Sequence, residues 1–504
     1  EILPGAYNCL YIGSLKGGVK ELNLTSGKLR DLLLKDEDNE SIYCRTLLFA
    51  TDNELWIGTE SGADIYNLRT GKYTHLRSSE YDPYSLSDNA IYSFCKDRED
   101  GIWIGSYFGG VNYYPRSYTH FEKYYPKGEE NSLHGKRVRE FCRDNYGVLW
   151  IGTEDGGLNR FNLNTKEFSF FAPSAGFTNI HGLCLVDDKL WVGTFSKGLK
   201  IIDTRTGTVL KTYQKNSSPR SLIDNSIFAI CRTATGDIYL GTMFGLVKYN
   251  KQSDDFDRIP ELNGKFVYDI KEDSGGNIWL ATYANGAYCY NVNDRKWKNY
   301  VHDEKDTTSL SYDKVSSIFE DSYHRIWLTT QGGGFCLFHP ESETFTSYNS
   351  TDGLPSDVVY QIVEDKDGQL WLTTNNGLVY FQPKTETMKV YTTANGLLGD
   401  QFNYRSSFED ENGMIYFGGI DGFIAFNPKN FSENKNLPTV VITDFLLFNK
   451  EVYADEPNSP LEKNITFSDK IVLRADQNSF SFRISALGYQ APGMNKLMYK
   501  LEGF

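Results

Sequence analysis

Long apolar runs are missing from these 504 residues; the nearest, Val440 to Phe448, is broken by Thr443 and Asp444. A membrane helix needs roughly 18 consecutive apolar residues, so no such helix is expected here. Basic charge is also scarce: 52 Lys and Arg face 66 Asp and Glu, a net charge of −14. That balance argues against a phosphate-binding surface and so against a nucleic-acid partner. No Cys-x-x-Cys pair occurs and the seven histidines form no metal-ligand spacing, so neither a metal nor another cofactor is expected. A serine nucleophile elbow and a phosphate loop are absent as well. Gly332-Gly333-Gly334 falls in a hairpin turn, with no Lys-Ser or Lys-Thr behind it.

What is abundant is 45 Gly, 34 Tyr and 32 Phe, a composition suited to short strands and tight turns. The chain is too long for one core and reads as all-β with several domains. Ten segments repeat one pattern, among them Leu55-Trp56-Ile57-Gly58-Thr59, Leu149-Trp150-Ile151-Gly152-Thr153 and Leu370-Trp371-Leu372-Thr373-Thr374. Their aromatic positions are Tyr11, Trp56, Trp103, Trp150, Trp191, Tyr239, Trp279, Trp327, Trp371 and Tyr416, spaced by 40 to 48 residues. That period fits a four-stranded β-propeller blade. Residues 355 to 392 read as four strands joined by Asp367-Gly368 and Asn375-Asn376-Gly377 turns, where positive φ is needed.

Ten blades exceed one closed ring. The Tyr416 unit ends at Asn427-Pro428 without a fourth strand, and Tyr118 to Tyr125 is free to supply it. Residues 118–433 are therefore expected to form a seven-bladed propeller closed by strand exchange. Residues 1–117 are expected to be the last three blades of an N-terminal propeller. Glu1 and Phe504 both fall inside unfinished units, so a leader or anchor is expected outside this sequence.

The Leu-Trp-Ile-Gly-Thr…Gly-Leu…Tyr unit resembles the two-component regulator propeller repeat. Behind it, Asn478-Ser479-Phe480-Ser481-Phe482, Ala486-Leu487-Gly488-Tyr489, Pro492 and Met498-Tyr499-Lys500-Leu501-Glu502-Gly503 resemble the triple-tyrosine domain, making residues 434–504 a truncated immunoglobulin-like β-sandwich. Together they resemble the periplasmic sensor region of hybrid two-component systems of gut Bacteroidetes. The resemblance implies a carbohydrate ligand, a homodimer, a membrane-linked histidine kinase in the same polypeptide and control of polysaccharide-utilisation genes. It carries no catalytic role to any residue here.

Asp97, Asp144, Asp273, Asp321, Asp365 and Asp410 each stand six residues before the repeat aromatic. Paired carboxylates serve glycoside hydrolysis, but acids repeated in most blades read as turn-forming groups. Cys95, Cys142, Cys184 and Cys231 share one register on first strands, so the eight cysteines are read as buried thiols rather than bridges. Binding residues are expected where the repeat varies, on the turns and entering loops of one face. The turns offer Tyr107, Phe108, Phe195, Met243, Phe244, Tyr283, Asn285, Gln331, Asn375, Asn376 and Asp421. The entering loops offer Arg45, Arg137, Arg139, His181 and Asn403. Aromatic platforms beside Arg, Asn and Asp suit sugars, which present apolar C–H faces and polar edges. The alternatives are a propeller lyase or hydrolase acting on polysaccharide, and a protein-binding scaffold.

Overall fold

Each letter of the repeat has a structural task in the computed structural model, which describes residues 1–35, 39–115, 121–128, 131–431, 438–489 and 497–503. The repeat tryptophans Trp56, Trp150, Trp327 and Trp371 are buried between blades. The indole Nε1–H of Trp150, Trp279, Trp327 and Trp371 donates to Oδ2 of the aspartate six residues earlier, at 2.8–2.9 Å. The same aspartates use Oδ1 to accept main-chain N–H groups of their own turn. The glycine of Trp-Ile-Gly allows close approach: a Cβ on Gly152 would sit 2.6 Å from Ile180 of the next blade. The threonine closes the following hairpin, as Thr153 Oγ1 donates to the Gly157 carbonyl and accepts the Gly156 N–H.

The chain divides into two compact units, residues 119–431 and residues 1–118 with 432–504. In the first, six consecutive four-stranded antiparallel sheets carry Trp150 through Trp371. The Trp150 blade comprises Val138–Arg143, Val148–Thr153, Gly157–Asn162 and Phe168–Phe170. A seventh sheet orders Phe402–Glu409, Ile415–Gly419 and Phe423–Phe426, with Glu122–Tyr124 on its outer edge, Lys123 opposite Ile424. Phe121 secures that edge against Phe426 and Phe431, ring centroids 5.1 and 5.4 Å away. Innermost strands pack in succession round the ring, and Phe402–Glu409 packs back on Val138–Arg143. The seven blades thus close a propeller. Within the described residues the outer strand is Glu122–Tyr124 and Tyr125 follows it, while 118–120 lie outside the described residues.

The second unit holds the Tyr11 and Trp56 blades, each of four strands, and the Trp103 blade of three, Ile91–Lys96, Ile102–Ser106 and Val111–Tyr114. It also holds one antiparallel sheet of Thr439–Leu447, Lys450–Glu451 and Phe480–Leu487, over a small core of Phe445, Leu461 and Ile465. Pro492 and Phe504 lie outside the described residues.

Two expectations need correction. The first strand of the unit at 355 begins at Val359, because Leu354 packs into the core from the turn before it. The cysteines are all free, yet only Cys9, Cys44, Cys289 and Cys336 are buried; Cys142, Cys184 and Cys231 are partly buried and Cys95 is exposed. Cys95 belongs to the Trp103 blade, against which, among the described residues, no later blade of its unit packs.

Candidate functional site

A β-bulge recurs in the innermost strand of the blades and decides what faces the channel mouth. In the Trp150 blade Val138 pairs with Thr153 and Glu140 with Gly152, leaving Arg139 unpaired. The same slip frees His181, Phe228, Tyr268, Ser316 and Tyr360 in the ring, and Arg45 and Tyr92 in the other unit. A bulge re-aims its extra residue, so these side chains leave the alternation of the pleat. Arg45, Arg139, His181 and Asn403 therefore lie within first strands rather than in the loops that enter them. Arg137 is in the loop, exposed, its N–H donating to Asp155.

The Tyr416 blade carries the largest slip: Phe402 pairs with Gly419 and Ser407 with Phe417, so Asn403–Ser406 bow out, with Arg405 at φ 54°. Tyr404 then lies across the channel. Its ring is 3.6 Å below the Arg139 guanidinium carbon and contacts the rings of Tyr268 and Tyr360, residues of three other blades. Arg405 fills the channel beneath. Its Nε is 3.0 Å from Asp269 Oδ1, its Nη2 is 3.5 Å from Glu140 Oε1, and Nη1 donates to the Phe228 carbonyl at 2.8 Å. Two buried carboxylates from opposite parts of the ring thus share one guanidinium.

Arg139 is 0% exposed. Its Nε donates to His181 Nδ1 at 3.3 Å and lies 3.8 Å from Glu154 Oε1, and its Nη1 donates to the Tyr404 carbonyl. Burial, then the Arg139 charge, drives the His181 pKa well below its ordinary value, leaving a neutral imidazole able to accept that bond. Arg139 Nη2 and Gln331 Nε2 are buried without a hydrogen-bond partner. Asn403 is buried and reaches Glu154 Oε1 at 3.4 Å.

Round this centre runs an aromatic row. Phe228, Phe266 and Tyr268 contact in turn at 4.5 and 4.6 Å, and Tyr283 stacks on Phe266 at 5.4 Å and 20°. Tyr283 remains 42% exposed, with Lys314 Nζ 4.3 Å from its ring centroid. Phe195 lies 5.8 Å from His181 and is exposed, as is Phe244, while Met243 packs against the core below. Asn375, Asn376 and Asp421 are exposed on their turns, and the Asn285 and Asn376 N–H groups donate to the hairpin threonines Thr282 and Thr374. In the other unit Arg45 lies between the rings of Tyr43 and Tyr92, 4.4 and 4.6 Å away, with Glu60 as its ion-pair partner. Tyr92 stacks on Tyr107 at 5.0 Å, and Tyr107 meets Phe108 at 4.4 Å. Concavities elsewhere include a groove of about 440 Å³ between the Trp279 and Trp327 blades, lined by Tyr300, Phe338 and His324, on the flank rather than the mouth.

Phe228, Tyr268, Tyr360 and Arg405 were not singled out by turn and loop reading, although a register signal marks them. Each stands eleven residues before its repeat aromatic, as do Arg45, Tyr92 and Arg139. Among the described residues no group of three or more His, Cys, Asp or Glu is placed to hold a metal ion.

The channel makes stability depend on pH. Burial raises the Glu140 pKa to about 7, against the lowering influence of Arg405 and Arg139. A carboxyl whose folded pKa is raised stabilises the fold below its unfolded pKa, and that contribution fades as pH climbs to the folded value. Urea unfolding should therefore show stability falling between about pH 4.5 and 7, by no more than about 1.4 kcal/mol per unit, and Glu140→Gln should flatten that slope.

The two component regulator propeller family matches residues 85–108, 132–155, 261–284 and 353–376, each running through an inner hairpin to the turn beyond it. Histidine kinase P4 of Formosa agariphila is 28% identical over 334 residues, 64% of this chain. The matched part is 24% of that protein, so the chain spans about a quarter of the curated relative it matches. The extracellular domain of a hybrid two component system of B. thetaiotaomicron superposes with a TM-score of 0.71 at 24% identity, over 100% of this chain and 73% of that one. A second such domain from the same organism gives 0.53 at 20% identity, over 97% and 66%. The chain carries two component regulator propeller repeats and shares the all-β fold of these extracellular domains.

Proposed function

We propose that this chain is the periplasmic sensor region of a hybrid two-component system, binding an oligosaccharide or related sugar and signalling to a membrane-linked histidine kinase that controls polysaccharide-utilisation genes. In this reading residues 1–117 end an N-terminal propeller, residues 118–433 are the C-terminal one, residues 434–504 begin the triple-tyrosine domain, and the receptor works as a homodimer. Support for the kinase link comes from the relative named a histidine kinase and from the extracellular domains that share the fold. Support for a sugar ligand rests on one observation: the exposed ring of Tyr283, stacked on Phe266 of the aromatic row, carries the Lys314 ammonium 4.3 Å from its centroid. An aromatic face takes the C–H side of a sugar ring and a polar or charged side chain beside it takes the hydroxyls. A hydrolase or lyase reading finds less support, because the channel carboxylates Glu140 and Asp269 are engaged by Arg405 and the repeated aspartates by tryptophan indoles.

Titration calorimetry against neutral and acidic oligosaccharides, with chromatography of the sugar afterwards, tests this. Saturable binding with unchanged sugar is expected, weakened about 10-fold by Tyr283→Ala. Binding unaffected by Tyr283→Ala and Arg137→Ala moves the site to the Arg45, Tyr92 and Tyr107 platform. Altered sugar, or no binding across the panel, overturns the reading.

A further inference from the structure

One end of the ring is rimmed by a recurring pair of positions. In five blades the carbonyl of the residue before the innermost strand accepts the N–H of the residue after the second strand: Arg137 from Glu154, Asn179 from Phe195, Ser226 from Met243, Phe266 from Tyr283 and Lys314 from Gln331, at 2.8–3.2 Å. Neighbouring blades are tied at the same level, where the Gly286 N–H donates to the Asp313 carbonyl at 2.9 Å. Tyr283 of one blade thereby stands next to Lys314 of the following one.

Tyr283 stacks on Phe266, and the Lys314 ammonium stands over its ring, 4.3 Å from the centroid. Elsewhere in the ring Lys248, Lys298 and Lys366 are matched with Asp237, Glu343 and Glu409. Among the described residues Arg137 and Lys314, the two basic residues at these strand-entry positions, have no ion-pair partner. The acids next to them hold loops instead. Asp313 Oδ1 accepts the His302 N–H at 2.7 Å, and Asp155 Oδ1 accepts those of Lys136 and Arg137 at 3.0 and 3.1 Å. A sugar that stacks on Tyr283 must therefore share the ring with the ammonium or lift it off. A neutral sugar that lifts it forfeits the cation–π contact and offers the ammonium only hydroxyls. An anionic group offers a charge-assisted hydrogen bond, so the same movement bares the ring and forms a stronger contact.

We propose that Lys314 makes this site selective for an acidic sugar, one carrying a carboxylate or a sulfate ester, with the ammonium as a movable cover on Tyr283 that an anion draws aside. The inference rests on the sugar reading above and narrows its ligand class. Selectivity of this kind is a difference between two affinities: the ammonium adds a contact for the charged sugar and an obstacle for the neutral one.

Titration calorimetry of the 504-residue chain with matched pairs of sugars tests it: oligogalacturonate beside its carboxyl-reduced counterpart, and a carrageenan oligosaccharide beside its desulfated counterpart. The two pairs separate carboxylate from sulfate. At least one charged member should bind about 10-fold more tightly than its neutral match. Lys314→Met, which keeps the stem and removes the charge, should bring that ratio close to unity by weakening the charged member, and Lys314→Arg should keep most of it. Damage to the fold would weaken both members alike, so the ratio reads the ammonium itself. Tighter binding of the neutral members, or a charge preference that Lys314→Met leaves intact, would sink the selectivity while the sugar reading stands. No binding by any member overturns both.

Discussion

Replacing Arg405 with leucine is expected to cost the propeller about 3–5 kcal/mol, the usual consequence of stranding a buried carboxylate by removing its partner. Asp269 carries most of that cost, since Arg405 Nε lies 3.0 Å from its Oδ1 and both groups are nearly excluded from water. Glu140 carries less, because burial holds it protonated up to about pH 7. Arg405→Leu combined with Asp269→Asn should recover about half of the loss. The recovery is partial because the Phe228 carbonyl still loses its donor and the asparagine carbonyl replaces only one of two oxygens accepting the N–H groups of Ile270 and Ile318. Equilibrium unfolding in urea, followed by tryptophan fluorescence, reads both variants. A loss below about 1 kcal/mol would mean that the guanidinium is dispensable, as exposed ion pairs are.

The second large effect lies away from the mouth. Asp321→Ala should destabilise by about 2–4 kcal/mol, because a buried carboxylate that satisfies several donors leaves each of them unpaired when it goes. Its Oδ2 accepts from Trp327 Nε1 at 2.8 Å and Arg325 Nε at 2.7 Å, and its Oδ1 accepts the N–H groups of Tyr323 and Arg325. Asp321→Asn retains one acceptor oxygen and should lose less than half as much. Were the repeated acids a catalytic row, Asn and Ala would abolish turnover alike while leaving stability near native; chemical denaturation of the two variants separates these outcomes.

The blades were legible because each solves the same local problem with the same residues. Asp, Trp, Gly and Thr at fixed offsets make a turn, an inter-blade wedge, a close approach and a hairpin, and none of these depends on distant sequence. The mouth was less legible because its residues are set by a one-residue slip in the ladder. That slip moved Arg139 and His181 from imagined loops into strands. It also brought up Phe228 and Tyr268, which look in sequence like ordinary strand aromatics. Arg405 was hidden further by the longer bow of Asn403–Ser406, whose pairing is fixed only once Phe402 meets Gly419. Exposure was the least legible property: Arg139 reads as an available guanidinium, yet Tyr404, from the far end of the ring sequence, covers it completely.

The pairing of Glu122–Tyr124 with Phe423–Phe426 has a bearing on how the ring is made. These strands are about 300 positions apart, so the first segment of the ring to leave the ribosome has no partner until nearly all of the ring has followed. Until then Glu122–Tyr124 stays unpaired, and the Trp150 blade lacks the neighbour that closes the ring. The six central blades can form hairpin by hairpin as they emerge, being local in sequence, whereas closure must wait for one long-range encounter and should be the slow step. A chain interrupted before Ala425 would then hold six folded blades and an unsatisfied seam, the species most exposed to strand addition from a neighbouring copy.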